Sequence, residues 1–188
     1  MHITRLMRLA LPAALAATLA TTTYAALPVG STAPAFTTQA SLGGKVYNFS
    51  LGDALKKGPV VLYFYPAAFT KGCTIEAHDF AAAIDKYQVL GATVIGVSAD
   101  DIETLNKFSV SECRSKFAVA SDADKKIMGA YDAVLGFKYA NRTSYVISQD
   151  GKIAYEYTAL NPDKHVENTL AAVRALVTTK GSGSSTAD

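Results

Sequence analysis

Thiols and indoles are scarce in this chain: 188 residues hold two cysteines, Cys73 and Cys113, and no tryptophan. So few cysteines exclude a disulfide-dense scaffold and leave room for a single bridge. Charge is also sparse, at 18% of residues against 49% hydrophobic, which excludes a disordered chain and suits one globular domain with a sizeable core. No strong charge of either sign survives inspection. The formal excess of +2 is carried by Arg5 and Arg8, near the first residue, and the remainder balances. With no basic stripe, nothing points to a nucleic-acid partner.

No apolar run is long enough to cross a bilayer. Residues 9–20 form a short apolar stretch interrupted by Pro12, preceded by Arg5 and Arg8 and followed by the small residues around Ala25. That order is a secretory signal peptide of bacterial style, expected to occupy residues 1–25 and to direct the rest to the periplasm, free of the membrane after cleavage. Residues 26–180 are expected to form the folded domain. Residues 181–188, rich in glycine and serine, read as a flexible tail.

Along the domain, Gly43-Gly44 marks a hairpin, and residues 50–57 a short helix stopped by Gly58-Pro59. Residues 60–65 (Val-Val-Leu-Tyr-Phe-Tyr) read as a buried strand, and residues 74–90 as a helix. A second buried strand follows at 93–97, with Asp100 placed to cap a helix from Asp101 onward. Residues 117–120 are extended and 122–131 helical. Strands at 143–148 and 152–157 flank Gln149-Asp150-Gly151, and a last helix spans about 162–177. This order implies an α/β fold with a central mixed sheet and helices on both faces. The crossover rule sets strands 60–65 and 93–97 side by side. The segment before Cys73 then lies at the carboxyl end of a central strand, where open sheets hold their sites.

Cys73 follows Pro66-Ala67-Ala68-Phe69-Thr70-Lys71-Gly72 and meets a helix start, whose unpaired N–H groups favour a thiolate over a thiol. Steps of four and three residues put Cys73, Ala77, Phe80, Ile84 and Tyr87 on one helical face, otherwise apolar. A cysteine there is equally a small hydrophobe filling the core, and spacing alone leaves both readings open.

The wider pattern is more specific. Pro66-x-x-x-Thr70-x-x-Cys73 after a Tyr-Phe-Tyr strand, continued by Thr74-x-Glu76, resembles the peroxiredoxin family, and Gly72-Cys73-Thr74-Ile75-Glu76-Ala77 its Q branch, the bacterioferritin-comigratory proteins. Val29-Gly30-Ser31-Thr32-Ala33-Pro34-Ala35-Phe36, Gly96-Val97-Ser98-Ala99-Asp100, Ser121-Asp122 and Arg142-Thr143-Ser144-Tyr145-Val146-Ile147 resemble further family landmarks in the same order. The resemblance implies a thioredoxin-like fold and thiol-dependent reduction of hydroperoxides. It implies Cys73 as the peroxidatic nucleophile, Thr70 as the hydroxyl that orients peroxide, Pro66 as its shield, Arg142 as the cation beside the sulfur, and Glu76 as the group holding that arginine. It implies no haem, flavin or metal, a thioredoxin-like or other thiol reductant, and a monomer or homodimer.

The chemistry asks for more than an acidified thiol. A free thiol with a pKa near 8.5 is about 3% ionised at pH 7, and lowering it to roughly 6 gains about 30-fold in thiolate. The accompanying loss of nucleophilicity costs about tenfold. Positioning and stabilisation of the developing alkoxide must therefore supply most of the rate. Cys113 is the one candidate to resolve a sulfenic acid on Cys73. On its helix Ile102, Leu105 and Phe108 point inward, and Cys113 falls at the boundary of that stripe. In one Q-branch subgroup the resolving cysteine is on this helix about one turn earlier; in another it lies five residues after the first, where this chain has His78. A one-cysteine peroxidase with a structural Cys113 and a peroxide-sensing redox relay are the alternatives. A disulfide oxidoreductase wants C-x-x-C where this chain has Cys73-Thr74-Ile75-Glu76. Cys73 and His78 face too far apart on a helix to share a metal.

Overall fold

The computed structural model describes residues 26–183. The proposed leader, residues 1–25, and the last five residues of the proposed tail lie outside that range. A seven-stranded sheet runs in the order β2-β1-β5-β4-β3-β8-β9. Its strands are β1 (Thr37–Leu42), β2 (Lys45–Ser50), β3 (Val60–Phe64), β4 (Thr93–Ser98), β5 (Ala118–Ser121), β8 (Thr143–Ile147) and β9 (Ile153–Thr158). The two-residue strands β6 (Val134–Leu135) and β7 (Tyr139–Ala140) form a separate hairpin. β3, β4 and β5 are parallel; β1, β8 and β9 pair antiparallel, so the sheet is mixed, as the element order implies.

Every residue of β3 is buried because both its faces are covered. Val60, Leu62 and Phe64 pack with Leu51, Ala54 and Leu55 of α1 (Leu51–Leu55) and with Ile127 and Met128 of α4 (Lys126–Ala130). Val61, Tyr63 and Tyr65 point to the other face, onto α2 (Lys71–Val89), α3 (Ile102–Ser111) and α5 (His165–Gly183). Both cysteines belong to this second cluster. Gly96 on β4 is required there, since a Cβ would come within 2.6 Å of the Tyr63 ring.

Four boundaries differ from the sequence expectation, each for a local reason. α2 begins at Lys71, so Cys73 lies inside the first turn instead of before it. Asp101 caps α3 through Thr104 N–H, and Asp100 is turned to another use. α4 is only five residues long, because the Asp122 carboxylate accepts from the N–H groups of Ile127 and Met128 and draws the preceding residues into a turn. α5 starts at His165, after a 3-10 turn at Pro162–Lys164, and continues to Gly183.

Candidate active site

The chain reaches Cys73 by leaving the carboxyl end of β3 through residues 65–70 and turning into α2. Apolar periodicity directs the side chain inward: Cys73 is 2% exposed, among Ala77, Phe80, Ile84 and Tyr87. The antiparallel register pairs Phe64 with Thr143, so β8 begins beside the point where β3 ends. That register carries Arg142, 69 residues away in sequence, to Cys73. Arg142 Nη2 donates to Cys73 Sγ at 3.4 Å, Nη1 to Glu76 Oε2, and Nε to the Leu160 carbonyl at 2.9 Å. Glu76 follows Cys73 by one turn and is fully buried. Gly72 is explained by the same guanidinium, since a Cβ there would meet Nη2 at 3.1 Å.

The segment before the helix is fixed from three sides. Ala68 N–H donates to Asp100 Oδ2 at 2.7 Å, and Ser98 Oγ donates to the same oxygen at 2.7 Å. Phe69 adopts a left-handed backbone, φ 61°, and sets its ring edge-on against Phe108 with centroids 5.2 Å apart. Thr70 Oγ1 donates to the Ala67 carbonyl at 2.9 Å and leaves α2 without a side-chain cap. Two consequences follow. The first-turn N–H groups keep their capacity to donate to an oxygen near Cys73. The Thr70 hydroxyl, its proton committed to the Ala67 carbonyl, keeps lone pairs that can accept. Pro66 is half-buried between β3 and this turn, and Lys71 is exposed.

The stretch of chain that carries Cys73 and Arg142 falls within a match to a known family. The model of the AhpC/TSA family matches residues 29–156. The chain belongs to the peroxiredoxins. Chloroplastic peroxiredoxin Q of Triticum aestivum is 36% identical over 151 residues, 78% of this chain and 67% of that protein. Chloroplastic peroxiredoxin Q of Sedum lineare is 33% identical over 157 residues, 81% of each. The crystal structure of peroxidoxin BcpB from Mycobacterium tuberculosis superposes with a TM-score of 0.72 at 30% identity, covering 79% of this chain and 97% of that one. Reduced 2-Cys peroxiredoxin of Plasmodium vivax, at 23% identity and a TM-score of 0.74, shares the fold over 81% of this chain and 98% of that one. The fold is thioredoxin-like and the activity that of a thiol-dependent peroxidase.

Within this peroxiredoxin Cys113 departs from the sequence expectation. It is fully buried instead of lying at a boundary, and burial pushes its thiol well above the usual range, with Glu112 adding to the shift. The cause is that α3 ends at Ser111 and the chain turns back: Arg114 and Ser115 are left-handed at φ 52° and 55°, and Cys113 swings into the aromatic cluster. Two polar contacts tie this turn to α2, His78 Nε2 to Glu112 Oε2 at 2.9 Å and the ion pair of Lys116 Nζ with Asp85 Oδ2 at 3.8 Å. His78 therefore stands five residues after Cys73 as a clasp on the segment that holds the second thiol.

Sequence reasoning missed Asp100 and His165 as site residues. Asp100 follows a buried strand at its carboxyl end, which is the available signal. His165 shares a helical face with Thr169 and Val173, all fully buried, and that spacing marks it as an interior histidine. Asp100→Ala is expected to cost about 1–3 kcal/mol, because the Ala68 N–H loses its acceptor. Urea unfolding checks this, with peroxide reduction slowing in parallel as residues 66–70 loosen.

Proposed function

We propose that Cys73 is the peroxidatic sulfur, that it reduces hydrogen peroxide and organic hydroperoxides, and that Cys113 resolves the product as an intramolecular disulfide. The observation that carries this is the Arg142 fork, one arm on Cys73 Sγ and the other on Glu76, at the uncapped start of α2. The sulfur lone pair attacks the terminal peroxide oxygen. The S–O bond forms as the O–O bond breaks, leaving a sulfenic acid and an alkoxide that takes a proton to become the alcohol. Thr70 Oγ1 accepts from the peroxide O–H, the first-turn N–H groups and Arg142 stabilise the departing oxygen, and Pro66 shields the sulfur from bulk water. Condensation of the sulfenic acid with the Cys113 thiol releases water and forms the bridge. A thioredoxin-like dithiol then attacks the bridge, passes through a mixed disulfide, and leaves as its own disulfide with both Cys73 and Cys113 returned to thiols. The leader pattern of residues 1–25 supports action in the periplasm.

Both thiols are free and buried in one cluster. A bridge would close a loop of about 40 residues and, by lowering the entropy of the unfolded chain, would stabilise the oxidised fold by roughly 4 kcal/mol. The left-handed residues 114 and 115 each cost of order 1–3 kcal/mol, and their release would help Cys113 to move. Complete burial of Cys113 favours a second reading, a one-cysteine peroxidase in which that thiol only packs the core. Mass spectrometry after one equivalent of peroxide separates the two. The bridged reading predicts a Cys73–Cys113 linked peptide in the wild type and a trapped sulfenate in Cys113→Ser; a persistent sulfenate in both would establish the second reading.

A further inference from the structure

Glu76 uses its buried carboxyl unevenly. Oε2 accepts from Arg142, whereas Oε1 has no hydrogen-bond partner. Beside Oε1, at 3.7 Å, lies Nδ1 of His165, itself fully buried. His165 is held at both ring nitrogens, with Nε2 2.9 Å from the Ala159 carbonyl and Nδ1 2.8 Å from Ser144 Oγ. A carbonyl only accepts, so Nε2 carries hydrogen. In the neutral ring Nδ1 then accepts from Ser144 and turns its lone-pair edge toward Oε1. A carboxylate at Glu76 would leave Oε1 a buried acceptor without a donor, set against a second acceptor, Nδ1, whose own donor is Ser144. One proton between them removes the conflict.

The charge count around Arg142 leads to the same place. Its single guanidinium touches Cys73 and Glu76, and if both were anionic one cation would balance two anions in a buried site. We propose that Glu76 and His165 hold one proton between them, and that His165 is a positioning residue that keeps Glu76 uncharged and so leaves the charge of Arg142 to Cys73. Burial supports this from both sides. It raises Glu76 to about 8, against the pull of Arg142, and lowers His165 to about 4. At neutral pH the proton therefore resides on the carboxyl. The other groups facing the pair are Cys73 and Asp79 from α2, Tyr63 from β3, Arg142 just before β8, Ser144 within β8, and Tyr157 from β9, whose ring lies 4.8 Å from the imidazole. Thr169 of α5 donates to the His165 carbonyl.

The inference rests on Cys73 being the working anion, but its test does not involve sulfur. Reduced full-length protein is titrated by infrared spectroscopy against Glu76→Gln. The wild type is expected to show a protonated-carboxyl band that persists to about pH 8 and is absent from the variant. In His165→Asn the side-chain amide donates to Oε1, favours the carboxylate, and moves loss of the band down by about one pH unit, a tenfold change in the proton's affinity. The alkaline decline of peroxide reduction shifts with it. No carboxyl band in the wild type at pH 7, or the same titration in His165→Asn, would overturn the proposal. Should His165→Asn not fold, urea midpoints of the wild type and Glu76→Gln decide. The unfolded pair loses its last proton near pH ~6.5, whereas the folded pair keeps it to about 8, so wild-type stability must fall as pH rises through that window and the variant's must not. A flat wild-type profile contradicts the shared proton. Turnover surviving in Cys73→Ser would instead refute the sulfur chemistry and leave the infrared result standing.

Discussion

Arg142→Leu is expected to slow peroxide reduction by at least about a hundredfold, the range seen when a preorganised donor is removed from a developing anion. The guanidinium donates at once to Cys73 Sγ, Glu76 and the Leu160 carbonyl, and leucine replaces none of these contacts. Single-turnover kinetics with excess peroxide isolate the first chemical step from reduction by thiol. Arg142→Lys is expected to fall between, because an ammonium keeps the charge but cannot reproduce a planar three-way fork. Equal rates for wild type and Arg142→Leu would remove Arg142 from the mechanism. Unfolding by urea must be measured alongside, since the buried Glu76 carboxyl and Leu160 carbonyl left without a donor cost about 1–3 kcal/mol each.

The second large effect is expected at Thr70. Thr70→Val keeps the shape of the side chain and removes the oxygen proposed to accept from peroxide, while also freeing the Ala67 carbonyl. Peroxide reduction is expected to slow by about 10²–10³. Alkylation of Cys73 by a neutral reagent that needs no oriented O–H should change by only a few-fold. Parallel stopped-flow measurements of the two reactions decide it, and equal proportional losses would mean that Thr70 acts through the sulfur and not through the peroxide.

Much of this architecture is legible in the chain because the signals are local and apolar. Residues 60–65 and 93–97 announce central strands by hydrophobicity alone, and Gly43-Gly44 announces its turn. Cys73 is legible as an inward residue because Ala77, Phe80, Ile84 and Tyr87 repeat its face. The proximity of Arg142 to Cys73 is not legible from spacing, since it depends on the β3–β8 register, and only the family resemblance pointed to it. Cys113 was misread for a related reason. Helical periodicity extended past Ser111 puts it at a boundary, but periodicity says nothing once Arg114 and Ser115 turn the backbone left-handed. Asp100 reads as a cap because an aspartate before a helix usually is one, yet Asp101 takes that role and frees its neighbour to hold Ala68. The roles of individual side chains are set by the tertiary contacts that periodicity cannot see.

Turnover of hydroperoxide by Cys73→Ser, with Cys113 intact and a dithiol as reductant, tests the central claim most directly. The account predicts a folded protein with no activity above the uncatalysed reaction, because a serine oxygen cannot cycle through a sulfenic acid. Wild-type turnover in that variant would contradict it.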